Sequence, residues 1–235
     1  MSDVLTIQPW LLDECVTSLR ARERLVFSRW GDGEWAAILG HGSQNCDGQP
    51  YTPDLRRGLM KVLQSRPSYR LGLQGLALRR FGDQIDRWLR HESLTDLAWC
   101  DADIFHRASI HDRLSSLIEA LRERGVVLVG PARLAGLSSR LRIVAHVVIP
   151  DEQAYDSADR WIDQAWRRAT HAGPTVVVAV SAGMGGKILV HRLARTLGEH
   201  SIVDFGSVWE PYVGHLNRTY HAAVRRRVCA QELAS

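Results

Sequence analysis

Three stretches of this chain bring together residue types that could do chemistry. The first is Arg29-Trp30-Gly31-Asp32-Gly33-Glu34, where two carboxylates stand two positions apart in a glycine-flanked turn. Hard oxygen donors so spaced can face one metal ion, directly or through its waters, while a diphosphate supplies the remaining ligands. Gly31 and Gly33 leave room for a ligand close to the backbone. The same spacing has a structural reading, with Asp32 capping the next helix and Glu34 favourable in its first turn. The second stretch, Ser181-Ala182-Gly183-Met184-Gly185-Gly186-Lys187, passes from a β-rich run into a helix with a lysine in its first turn. Backbone N–H groups at such a helix start can cradle phosphate. A P-loop would need Gly at position 181 and Ser or Thr at 188, and a dinucleotide fingerprint would need Gly or Ala at 188, where this chain has Ser181 and Ile188. Tight strand-to-helix packing is the alternative use of these glycines. The third stretch gathers Asp204, Gly206, Ser207, Trp209, Glu210, Tyr212 and His215. Its aromatic faces can support sugar rings or bases, and a carboxylate or imidazole there can serve as general base. Packing is the alternative here too.

The elements that must position these residues can be read from hydrophobic period. Strand-length apolar runs span residues 25–30, 69–73, 126–130, 143–149, 175–181 and 201–205. Several are continuous Val/Ile/Leu runs, as expected of strands covered by helices on both faces. Between them, Ala158, Trp161, Ile162, Ala165, Trp166 and Ala169 recur at helical spacing after Asp156 or Ser157 as N-cap, and Gly173-Pro174 ends the run. A second helix is predicted over residues 111–124 and a third from Trp35 to Leu39. This alternation predicts an α/β fold: a Rossmann-like doubly wound, mainly parallel sheet with helices on both faces. Residues 1–235 read as a single domain, with residues 1–24 as a helical extension and 213–235 as a basic helical tail. Residues 41–54, rich in Gly, Ser, Asn, Gln and Pro, read as a long loop. In such sheets ligands bind beyond the carboxyl ends of the strands, where all three stretches fall.

Composition narrows the partners. With 235 residues, 45% of them hydrophobic, the chain can bury a substantial core. No apolar run approaches the ~20 residues that span a bilayer, and no signal-peptide layout is visible, so a cytoplasmic location is expected. Cys15, Cys46, Cys100 and Cys229 lie far apart without a CxxC pair, which suggests neither a zinc site nor a disulfide framework. Net charge +4 and a pI near 9.1 suit an anionic partner. Nearly all the basic residues are arginines, with Lys61 and Lys187 the exceptions. The clusters Arg56-Arg57, Arg79-Arg80, Arg167-Arg168 and Arg225-Arg226-Arg227 could line a polyanion track or simply form solvated faces.

Taken in order, SRWGDGE, VVLVGP, VVIPDEQAYDSADRWID, VVVAVSAGMGGKILVHRL and IVDFGSVWEPY resemble the GT-D glycosyltransferases, the family of domain of unknown function 1792. The resemblance runs from about Leu25 to Tyr212, with Arg29 to Glu34 as its sharpest element. It implies that Asp32 and Glu34 bind a divalent cation, Mn²⁺ or Mg²⁺, together with the diphosphate of a UDP-sugar, typically UDP-glucose. Arg29, Gly31 and Gly33, with Gly183, Gly185, Gly186 and Lys187, would complete the donor site. Glu210, Asp204 and His215, in that order, are the candidate bases for deprotonating an acceptor hydroxyl on a glycan or glycoprotein. The family's late motif runs Asp-Ile-Gly-His and then further acids, whereas here Ser207 replaces the histidine and Trp209 an acid, so the acceptor can differ. DNA with a hydroxymethylated base is the alternative acceptor, and a non-catalytic nucleotide or nucleic-acid binding module the alternative class. A homodimer is the assembly to look for.

Overall fold

The computed structural model describes residues 5–45 and 48–234. The Val/Ile/Leu runs form the middle of one parallel sheet of eight strands: β1 (Ile7–Gln8), β2 (Val26–Trp30), β3 (Arg70–Leu73), β4 (Trp99–Asp101), β5 (Val126–Pro131), β6 (Ile143–Ile149), β7 (Val177–Val180) and β8 (Ser201–Asp204). Their order is β1-β4-β3-β2-β8-β7-β5-β6. β5, β7 and β8 are buried along their whole length, as the continuous apolar character of β5 and β7 requires. One layer of helices comprises α2 (Asp32–Ile38), α3 (Pro53–Gln64), α4 (Gly75–His91), α7 (Ala158–Ala172) and α8 (Gly185–Thr196), which share a core with Trp30, Trp35 and Val180. On the opposite face lie α1 (Leu12–Arg20), α5 (Ile104–Ile110) and α6 (Ser115–Arg124), around Phe27, Phe105 and Phe205. The last helix, α9 (His221–Ala234), follows the third stretch. The predicted doubly wound α/β fold is the observed one.

β2 and β8 are neighbours at the centre, paired at Val26 with Ile202 and Phe27 with Val203. From β2 the chain winds outward to β3, whereas β8 closes the half containing β5 to β7, so the crevice between them is the switch point of the sheet.

Two strands escape sequence reading, β1 and β4, because two and three residues are too few to show a period. β1 pairs in parallel with β4, so the first 24 residues add an edge strand as well as the expected helix. The helix predicted over residues 111–124 begins only at Ser115, since Asp112 adopts φ 57°, which an α-helix excludes. Trp166, expected on the inner face of α7, is 40% exposed, while Trp161, Ile162, Ala165 and Ala169 are buried as expected. Cys15 and Cys100 are buried and free, and burial pushes both thiols up to about 12, which keeps them unreactive. Cys46 lies outside the described residues. Among the described residues, no helix is long and apolar enough to cross a membrane.

Candidate active site

All three stretches converge on the carboxyl ends of the central strands. β2 ends at Trp30, and Gly31 caps α2. Glu34, one turn into α2, reaches back so that Oε2 accepts the Gly31 N–H at 2.8 Å. This is half of a capping box. A side chain on Gly31 would collide with Gln74, its Cβ falling 2.7 Å from Oε1, and would crowd Glu34 as well. The capping role in this turn therefore falls to Glu34, not to Asp32.

The other oxygen of Glu34, Oε1, lies 2.9 Å from the ammonium of Lys187, and the same ammonium lies 3.0 Å from Asp204 Oδ2. Lys187 also donates to the Gly183 carbonyl at 3.1 Å. Asp204 in turn accepts the Arg29 N–H at Oδ2 (3.2 Å) and the Gly206 N–H at Oδ1 (3.0 Å). All three charged groups are buried, Lys187 being 2% exposed. Burial disfavours the charge of Glu34, but Lys187 and the Gly31 N–H outweigh it and hold the carboxyl below its usual range. Burial likewise opposes the charge of Lys187, and Asp204 and Glu34 outweigh it and hold the ammonium above its usual range. The triad ties β2, α2, α8 and β8 into one rigid corner.

The loop before α8 is packed rather than open. A Cβ on Gly185 would lie 3.1 Å from Trp161, and one on Gly186 would lie 3.2 Å from Val180. The Gly186 amide is bonded to Ala182 and Gly183 carbonyls, and the Lys187 amide to Met184. Gly185 and Gly186 thus pack α8 against α7 and β7, and Lys187 faces the carboxylates.

Arg29 remains available. Half-buried at the end of β2, its guanidinium makes no hydrogen bond or ion pair among the described residues. It lies against Gly206, where φ is 58° and a Cβ would come within 2.9 Å of Nη1, so a side chain there would strain the backbone and displace the guanidinium. Asp103, at the end of β4, accepts the Gly75 N–H at 3.0 Å. Burial raises its carboxyl, but His106, the Gly75 N–H and Arg29 together hold it below its usual range.

Asp32 stands apart from Glu34. Its Oδ2 pairs with Arg80 Nη1 at 2.5 Å, with the carboxylate side chain 29% and the arginine 56% exposed. An exposed pair of this kind is weakly held and can exchange partners. Glu34 could coordinate a cation only by releasing Lys187, which would leave a buried ammonium beside it. Of the two carboxylates, the exposed Asp32 is the one whose donors fit a divalent cation together with diphosphate oxygens as the side chains stand. Among the described residues, no three His, Cys, Asp or Glu side chains are grouped to hold a metal unaided.

The third stretch crosses the carboxyl edge. Glu210 Oε1 accepts from Arg133 at 3.0 Å, and Oε2 is buried without a hydrogen-bond partner, 3.9 Å from His221 Nδ1. His221 is fully buried; that burial, reinforced by Arg218, pushes its imidazole down to about 4. Tyr220 stacks on His106 with ring centroids 4.1 Å apart, and its hydroxyl lies 3.5 Å from Ser207 Oγ. His215 sits beyond the Glu210–Val213 turn, its amide bonded to the Glu210 carbonyl at 3.0 Å. Of the three base candidates, Asp204 is locked in the triad and no carboxylate lies within 4 Å of His215 among the described residues. Glu210 alone combines burial with an oxygen left open. Arg133, Asp103, His106, Tyr220 and His221 were not anticipated. Arg133 follows the VVLVGP strand directly and could have been suspected from that position, whereas Asp103 depended on recognising β4.

No protein-family model and no curated protein matches the chain. Solved structures do. One, described as showing that the highly conserved domain of unknown function 1792 has a distinct glycosyltransferase fold, superposes with a TM-score of 0.63 at 18% identity, covering 88% of this chain and 80% of that one. Another, described as a new glycosyltransferase of the same domain type from Streptococcus sanguinis, matches with the same score and identity over 88% of this chain and 84% of that one. The fold is the one found in those structures.

Proposed function

We propose that the protein is a glycosyltransferase that moves a sugar, with glucose as the first candidate, from a UDP-sugar to an acceptor hydroxyl. The observation that carries this reading is Arg29: a half-buried guanidinium with no hydrogen bond or ion pair among the described residues, at the switch point of the sheet, beside the Glu34 and Asp204 carboxylates that are already satisfied. Such a group calls for an anion, and the planar fork of arginine suits a diphosphate. The glycosyltransferase fold of the similar structures supports the same reading.

Transfer breaks the bond between the anomeric carbon and the diphosphate oxygen through an oxocarbenium-like transition state. Negative charge then grows on the departing diphosphate, where Arg29 stabilises it from a fixed position. Asp32 would hold a divalent cation there, whose chemistry is neutralisation of the same leaving group. Glu210 Oε2 takes the acceptor's proton as the hydroxyl oxygen bonds to the anomeric carbon, and UDP leaves. Lys187 binds no donor in this scheme; it fixes Glu34 and Asp204, and so sets the backbone around Arg29. The test is UDP release from a panel of UDP-sugars with glycan, glycoprotein and nucleic-acid acceptors. Release with an acceptor, at least tenfold faster than without one, is expected, and no release with any pair would overturn the proposal.

A further inference from the structure

The arginine clusters seen in the sequence do not form a track of their own. Arg56 donates to the Ile38 carbonyl at 2.9 Å, Arg80 pairs with Asp32, and Arg167 with Asp163. A different set of cations converges in space. A groove of about 960 Å³ runs between α3 and the start of α7, with α8 along its side. Arg57 and Lys61 enter it from α3, Arg160 from α7, and Arg192 and Arg195 from α8. Asp54 neutralises Arg57 and Asp159 neutralises Arg192. Lys61, Arg160 and Arg195 make no ion pair among the described residues. Burial, together with Arg195 and Arg192, holds the neighbouring His191 imidazole below its ordinary range, a sign of the positive field in this wall.

Adjoining clefts of about 510 and 340 Å³ share Arg195 with the groove, so the cationic line continues past its ends. Aromatic side chains line it: Tyr155 in the groove and Tyr69 in one cleft, both half-buried against the core, and in the other Trp166, the exposed ring on the otherwise buried face of α7. Cations that track a backbone, interleaved with rings on which bases stack, are the components of single-strand binding. A duplex offers its phosphates but not its base faces.

We propose that this groove binds single-stranded nucleic acid, its phosphates on Lys61, Arg160 and Arg195 and its bases against Tyr155 and Trp166. Binding itself is independent of sugar transfer; only the role of the bound strand as acceptor rests on the glycosyltransferase reading.

The experiment is fluorescence anisotropy of a labelled 20-nucleotide oligothymidylate with the full-length protein across a salt series, without donor. Lys61→Ala/Arg195→Ala should weaken binding at least tenfold at low salt and flatten the log–log salt slope by roughly 1.4, given about 0.7 per phosphate contact on single strands. Arg113→Ala/Arg122→Ala, the same charge change on the opposite face, should leave both nearly unchanged. Trp166→Ala should weaken binding severalfold with the slope preserved, since a ring contributes stacking and no charge. Equal losses in the two double variants, competition by duplex or inorganic polyphosphate as strong as by the strand, or no binding at low salt would each overturn the proposal. Calorimetry of UDP-glucose on Lys61→Ala/Arg195→Ala separates the two readings. Unchanged donor affinity is expected, so failure of strand binding would leave the donor site standing.

Discussion

The two sides of the carboxyl edge differ in how completely their carboxylates are satisfied. Around Lys187, every carboxylate oxygen is engaged: Glu34 by the ammonium and the Gly31 N–H, Asp204 by the ammonium and two backbone N–H groups. Around Glu210, by contrast, Oε2 of the carboxylate is buried without a hydrogen-bond partner. Buried polar groups left open are rare in folded proteins and ask for a ligand or water. In the proposed function the saturated side is architecture that holds Arg29 in place, and the unsaturated side would receive the acceptor. Proximity to the turn motif does not separate the two; the count of lone pairs in use does.

The largest expected effect lies on the saturated side. Lys187→Met removes the cation between two buried carboxylates and should destabilise the fold by about 3–5 kcal/mol, read from the urea midpoint. A loss under about 1 kcal/mol would break the comparison, because the triad would then not be architecture. Glu210→Gln, on the unsaturated side, should lower kcat on the order of 10²-fold while leaving the thermal midpoint and UDP-sugar affinity unchanged. Normal turnover in that variant would move the base elsewhere.

The same side should also govern an acid limb of stability. An unfolded histidine takes up its proton near pH 6.5, whereas His221 in the folded chain does so only near 4. Between those values the unfolded state binds more protons, so stability is complete above about pH 6.5 and falls as the pH drops toward 4. The expected loss is on the order of 2 kcal/mol, and His221→Gln should flatten that limb in denaturant titrations at stepped pH. An unaltered slope would assign the limb to other groups. The smallest effect belongs to the exposed Asp32–Arg80 pair: Arg80→Ala should change stability by less than about 1 kcal/mol. A larger loss would show that Asp32 is not free to exchange partners.

The fold was legible because continuous apolar runs such as that of β5 (Val126–Pro131) read as covered strands, and β1 and β4 were not because they are too short to carry a period. The site was legible as three stretches, but not in the division of labour among them. Sequence spacing puts Asp32 and Glu34 side by side, yet the helical turn that starts at Asp32 leaves one near solvent and swings the other inward to Lys187, 153 residues later in the chain. Ion pairs across such separations are set by sheet order, which no local window contains. Arg133, 77 residues before Glu210, was missed for the same reason, and His221 because nothing in its local sequence shows that it packs beside Glu210.

The most direct test is calorimetric titration of UDP-glucose into the wild type and Arg29→Ala, each with and without Mn²⁺. The account predicts binding by the wild type that Arg29→Ala weakens at least tenfold, with the unfolding midpoint of the variant unchanged. Equal affinity in the two proteins, or no binding of any UDP-sugar by the wild type, would contradict it.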